Sequence, residues 1–242
     1  MAPLKVTIHQ PEHLPWLGFF NKMDQADLLV LLDNVQYRKN YFQNRNRILG
    51  ANGPMWLTVP VVSKGHTSST IAETEISQQH EWRIKCGKSL RMAYANHSFF
   101  SDHAGFFEEL YSRTWKLLAE LNLEIIRYLA SALGVRTEMV RASELGVAGA
   151  SSQLLLDICR KTGANTYLAG QTAGGYLDET IFREARIEVT IHQFTHPTYP
   201  QRRQKDFVSH LSVIDLLFNC GPDSLKIIRC GPSGVSSPAG DR

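Results

Sequence analysis

Cysteine is scarce. Cys86, Cys159, Cys220 and Cys230 are all the chain has, and no two stand in a C-x-x-C spacing. That argues against a zinc ribbon or a disulfide scaffold and leaves four reduced thiols in a cytoplasmic protein. Long apolar runs are missing too: the most apolar window, Ala26 to Leu32, falls far short of the ~20 residues of a membrane helix. The opening MAPLKVTIHQ lacks the apolar stretch of a signal peptide. Neither sign of charge dominates, with 26 Lys and Arg against 23 Asp and Glu for a net charge of +3. No long basic run of the kind that tracks a phosphate backbone accompanies it. G-x-G-x-x-G, the P-loop, H-E-x-x-H and G-x-S-x-G are all absent, so no nucleotide fingerprint, zinc protease site or nucleophile elbow is on offer. No metal site is expected, and no cofactor is named by the sequence.

What is present is a globular composition, 43% apolar and 20% charged, in 242 residues that suffice for a full core. Lys5 to His9 is β-branched and ends before Pro11, which predicts a short buried strand. Leu17 to Gln25 predicts a helix with Phe19, Phe20 and Met23 on one face. The unbroken Leu28 to Leu32 run predicts a strand buried on both sides, as in a parallel sheet. Strand, polar loop, helix and strand make a βαβ unit, whose ligand edge is at the strands' carboxyl ends.

Residues 35–77 alternate or are β-rich around Gly50, Gly53-Pro54 and Gly65, predicting antiparallel strands at 35–37, 45–48, 56–60 and 70–76. Helices are expected over Gln79–Asn96, Ala104–Leu121 and Leu123–Leu133, the last closed by Gly134. The α/β pattern then resumes: a strand at Thr137–Val140, and a helix capped by Ser151-Ser152 and ended by Gly163. Strands at Asn165–Ala169 and Ile187–Phe194 follow, with a helix at Glu179–Ala185 between them and one at Ser212–Phe218 after them. The fold class is α/β, a Rossmann-like, largely parallel sheet formed by 1–34 and 135–221. A β-rich insertion (35–78), a helical segment (79–134) and a disordered Ser/Gly/Pro-rich tail (232–242) complete the organisation. The pentapeptide VTIHQ occurs at 6–10 and again at 189–193, each followed by a further histidine, His13 and His196. Without a surrounding repeat it reads as coincidence, the alternative being two neighbouring strands that end alike at one site.

Chemistry concentrates in three segments. In the first, His9, Gln10, Glu12 and His13 leave the first strand between Pro11 and Pro15, which stiffen the loop. An imidazole there can serve as base or acid. Asp33 follows the second buried strand and opens the next segment, where Gln36, Tyr37, Asn44 and Arg45 mix amides, a ring and a guanidinium suited to a sugar or nucleotide. The third runs from Gly170 and Gln171 through Gly174 to Tyr176, where glycines after a strand let the backbone approach a ligand.

HQPEHLPWLGFFNK, LLVLLDNVQY, FQNRNRI, WLTVPV, YLAGQTAGGYLD, the Tyr199-Pro-Gln201 segment and SVIDLLFNCG together resemble the WbqC-like family of bacteria over about residues 5–221. Family members occur in gene clusters for O-antigen and other surface polysaccharides. The resemblance implies a role in glycan or natural-product assembly, with glycine or another aminoacyl group as the moiety proposed to be transferred. The family supplies no catalytic residue to carry over.

The expectation is therefore a cytoplasmic transferase. His9, His13 and Asp33 are its candidate catalytic residues. Gln10, Trp16, Lys22, Gln36, Tyr37, Asn44, Arg45, Gly170, Gln171, Gly174, Tyr176, Tyr199 and Gln201 are its candidate binding residues. Its partners would be a small-molecule donor and acceptor: an amino sugar, a nucleotide sugar or an aminoacyl donor carried by a protein or a charged tRNA. The competing classes are an ATP-dependent ligase or nucleotidylyltransferase and a non-enzymatic sugar- or nucleotide-binding module.

Overall fold

A computed structural model describes residues 3–62, 69–78, 81–175, 177–202 and 206–231; the expected disordered tail at 232–242 lies outside them. Five strands form one parallel sheet: β1 (Lys5–His9), β2 (Leu28–Leu31), β5 (Glu138–Arg141), β6 (Thr166–Ala169) and β7 (Glu188–Ile191). Their spatial order is β5-β2-β1-β6-β7. Counted in chain order among these five, that is 3-2-1-4-5, a doubly wound sheet whose direction of growth reverses between β1 and β6. The α/β expectation holds.

Both faces of the sheet are covered. Along β2, Leu28 and Val30 join one apolar cluster while Leu29 and Leu31 join the other, as a period of two requires. The first cluster is closed by α5 (Ser151–Thr162) and α6 (Glu179–Glu184) through Leu154, Ile158 and Phe182. The second contains Leu17 and Phe20 of α1 (Leu17–Asp24), α4 (Leu118–Leu133) and α7 (Val213–Cys220). A final helix, α8 (Ser224–Cys230), lacks a strong sequence signal; its Ile228 carbonyl accepts from Asn21 Nδ2 at 2.8 Å, tying it to α1.

The β-rich insertion is narrower than its sequence suggests. β3 (Arg45–Gly50) and β4 (Gly53–Thr58) form an antiparallel hairpin. The other two expected strands shrink to single bridges, Gln36 with Thr70 and Val61 with Ile76. In the helical segment, α2 (Trp82–Tyr94) and α3 (Phe100–Ser112) precede α4, and the expected helix over 104–121 is broken at 113–117. Tertiary pairing overrides periodicity there. Ile76 N–H donates to Lys116 O and Leu118 N–H to Thr74 O, both taking backbone groups that a continuous helix would use. The start of α5 also differs: its N-cap is Ala150, without a side-chain cap, and Ser152 Oγ instead accepts from Asp178 N–H at 2.9 Å.

Candidate functional site

Doubly wound sheets bind ligands beyond the strand carboxyl ends, where the order reverses. A cavity of about 730 Å³ opens at that point. β1 and its following loop bring His9, Gln10 and Glu12 to it, and α1 adds Lys22. Ser151 and Leu154 of α5 reach it from the opposite face of the sheet, and Gly170 and Thr172 follow β6. Gln36, Arg38, Tyr41 and Gln43 border it on the insertion side.

Three titratable groups stand together at its base. Glu12 is 6% exposed, with Oε1 4.0 Å from His9 Nδ1 and Oε2 without a hydrogen-bond partner among the described residues. Burial pushes its carboxyl up to about 8, against the opposing charge of Lys22. Lys22 is 4% exposed and its Nζ donates to Ile8 O at 3.0 Å. Burial lowers it to about 7, partly offset by Glu12. A carboxyl and an amine thus both titrate near neutrality, where proton transfer in either direction is easiest. His9 Nδ1–H donates to Gln10 O at 3.0 Å, which leaves the lone pair on Nε2. Desolvation and the charge of Lys22 lower the imidazole to about 3, so it is neutral at physiological pH.

The repeated VTIHQ sets His9 and His192 at the ends of β1 and β7, two strands of one sheet with β6 between them. His192 Nε2–H donates to Asn21 Oδ1 at 2.7 Å, and burial followed by the Lys22 charge lowers it to about 4. Both imidazoles therefore feel the same ammonium from the α1 side of the sheet.

Braces hold the first loop. Gln43 Nε2 donates to Gln10 Oε1 at 2.7 Å, and His13 N–H to Phe42 O at 2.9 Å. Asn122 of α4 donates to Gln43 O at 2.7 Å while accepting from His13 Nδ1–H at 3.2 Å. Insertion and helical segment thus fix the loop that carries Glu12.

The model of the WbqC-like protein family matches residues 10–227, from the cavity loop into α8. The chain belongs to the WbqC-like family. The Mycobacterium tuberculosis protein named uncharacterized protein Rv1507c is 32% identical over 231 residues, covering 93% of this chain and 99% of its own. No solved structure matches.

Of the three candidate catalytic residues in this WbqC-like chain, the cavity receives only His9. His13 is fully buried, lowered by burial to about 4, and engaged with Asn122. Asp33 is 1% exposed and accepts from Arg141 Nε at 2.7 Å, Ser143 N–H at 2.9 Å and Ser143 Oγ at 2.8 Å. It fastens the end of β2 to that of β5. Asp33→Ala is expected to cost about 3 kcal/mol in urea unfolding, because Arg141 loses its carboxylate. Among the described residues, no three His, Cys, Asp or Glu stand close enough to hold a metal. Burial also raises Cys86, Cys159 and Cys220, to about 11, 12 and 11, the wrong direction for a thiolate nucleophile.

Of the expected binding residues, Gln10, Lys22, Gln36 and Gly170 line the cavity. Others lie elsewhere. Trp16 stacks on His196 and His210 at 6.4 and 5.9 Å. Tyr37 is half-buried, its hydroxyl pushed up to about 12 by burial. Asn44 Nδ2 donates to Val59 O within the insertion, and Arg45 lies over Trp56. Gln171 is exposed and donates to Phe194 O, Gly174 sits in the short turn Ala173–Gly175, and Tyr176 falls outside the described residues. Tyr199 and Gln201 both donate to Asp215, away from the cavity. Glu12, Arg38, Tyr41, Ser151 and Thr172 were not among the candidates. Glu12 had a signal, as the sole carboxylate of the loop after the first strand.

Among the described residues, no helix is long and apolar enough to cross a membrane.

Proposed function

We propose that this WbqC-like protein is a cytoplasmic group-transfer enzyme that moves an acyl or aminoacyl group onto an amine, such as that of an amino sugar, in the assembly of a glycan or related natural product. The observation that carries the reading is the Glu12–Lys22 pair, a carboxyl raised to about 8 and an amine lowered to about 7 in one cavity. Burial brings both groups to titrate near neutral pH, where a proton is taken up or released most readily. In the proposed step, the substrate amine nitrogen bonds to the donor's carbonyl carbon. Its proton passes to the ionised Glu12 carboxylate, and the bond to the leaving group breaks with its electron pair, the leaving group then taking the proton from Glu12. Neutral His9 accepts a hydrogen bond at Nε2 and orients the amine. The N-terminal end of α5, where Ser151 lines the cavity, favours the donor's anionic part.

Calorimetric titration with amino sugars, nucleotide sugars and ATP with Mg²⁺, followed by turnover of whichever pair binds, tests this. Glu12→Gln is expected to lower turnover at least about 10²-fold, the usual scale of lost acid–base catalysis, while ligand affinity stays within a few-fold. Unchanged turnover removes Glu12 from the chemistry. Binding of ATP with Mg²⁺ and adenylate formation would move the assignment to a ligase, and binding without turnover of any pair to a non-enzymatic module.

A further inference from the structure

From residue 34 to residue 72 the sequence contains no Asp or Glu, yet it holds Arg38, Lys39, Arg45, Arg47 and Lys64. Five positive charges therefore sit in this stretch alone, in a protein whose whole net charge is +3. The hairpin displays several of them. On its outer face Arg47 stands directly across from Trp56 in the β3–β4 register. The Arg45 guanidinium lies 4.5 Å and that of Arg47 5.9 Å from the Trp56 ring centre. Arg38 lies 5.9 Å over Tyr41. Among the described residues, no carboxylate pairs with Arg38, Arg45 or Arg47, and Arg45 Nε has no hydrogen-bond partner.

The rings form a row. Tyr41 meets Phe42 at 5.4 Å and Phe42 meets Trp56 at 6.1 Å. Tyr41 is 44% exposed, Trp56 45% and Met55 37%, three of the five large apolar side chains exposed among the described residues. An ordinary solvated hairpin face has no reason to expose rings and leave every guanidinium without a counter-charge. A face that stacks bases and tracks phosphates has reason for both. Three rings and three guanidiniums exceed what one mononucleotide can cover, and the row ends at the cavity, whose border includes Arg38 and Tyr41.

We propose that this face, Arg38–Tyr41 together with Arg45, Arg47 and Trp56, docks the single-stranded end of an RNA and leads it to the cavity mouth. Bases stack on Trp56 and Tyr41, and the guanidiniums hold the phosphates. Only the fate of the RNA terminus inside the cavity rests on the group-transfer reading. Docking itself is independent of it.

The test is fluorescence anisotropy with a labelled, unstructured twelve-nucleotide RNA and the full chain. Saturable binding is expected that weakens as salt rises, because phosphate contacts release counterions. Trp56→Ala should weaken it about tenfold by loss of stacking, and Arg47→Gln should reduce the salt dependence, both with circular dichroism unchanged. Arg45→Glu, a reversal at the same face, should weaken binding further. Glu12→Gln should bind the RNA as the wild type does, so a failed cavity assignment and a failed docking surface give different results. Absence of binding, equal affinity for duplex RNA, or binding indifferent to Trp56→Ala and Arg45→Glu overturns the proposal.

Discussion

Glu12→Gln is expected to make the protein more resistant to alkali than the wild type. The native carboxyl is raised by burial from 4.5 to about 8, so between those pH values the folded chain keeps a proton that the unfolded chain has released. Stability linked to this group is full below pH 4.5 and is lost as pH rises towards 8. A pKa unit corresponds to about 1.4 kcal/mol, so the loss is on the order of 5 kcal/mol. Glutamine cannot ionise and escapes it. Urea unfolding of both proteins at pH 5, 7 and 9 should show curves that converge or cross at low pH and separate in favour of the variant at high pH. The slope is the decisive quantity, since an uncharged amide at Oε2's unpartnered position adds a constant cost. Parallel profiles would mean that burial does not raise the Glu12 carboxyl, and would remove the titration near neutrality on which its proposed proton-carrying role rests.

Asp215→Ala should be the most destabilising single change away from the cavity, by about 3–5 kcal/mol. The Asp215 side chain is fully buried on α7 and accepts from Tyr94 Oη at 2.9 Å, Tyr199 Oη at 3.0 Å and Gln201 Nε2 at 2.9 Å. Burial still leaves its carboxyl raised, because the three donors only partly oppose the desolvation. Tyr94 Oη in turn accepts from Leu49 N–H at 3.0 Å, so the network links α2, α7 and the 199–201 segment to the turn end of the hairpin. Removing the carboxylate strands the hydroxyls of buried Tyr94 and Tyr199, while Gln201 Nε2 keeps its bond to Val208 O at 2.9 Å. Asp215→Asn, which keeps one acceptor, should cost markedly less. Equal losses for the two variants in urea unfolding would show that volume rather than hydrogen bonding is at stake.

The sheet was legible because its signals are local. An aliphatic run such as Leu28–Leu31 has nowhere to go but a strand buried on both faces, and Gly134 and Gly163, both with φ near +80°, stop α4 and α5 where the sequence places their ends. The break at 113–117 was not legible, because apolar periodicity continues through it. The backbone there is claimed by partners about 40 residues away, Thr74 and Ile76. The same holds for the site. His9, Gln10, Lys22, Gln36 and Gly170 could be named from their places after strands or on the first helix. Sequence could not separate His9 from His13, four positions apart in one loop, since burial alone sends one to the cavity and the other to Asn122. Nor could it tell a carboxylate that faces the cavity from a fastening one. Asp33 is spent on Arg141 and Ser143, more than a hundred residues on, while Glu12 keeps an oxygen without a partner among the described residues.

The sequence by itself thus determined the family, the α/β class, the titratable loop after the first strand and the carboxylate-free stretch beyond it. Each is written in residues that are close along the chain. Only the tertiary structure decided which side chains share the cavity, and which protons they hold. Those depend on desolvation and on partners brought together across the fold, quantities that no stretch of sequence contains.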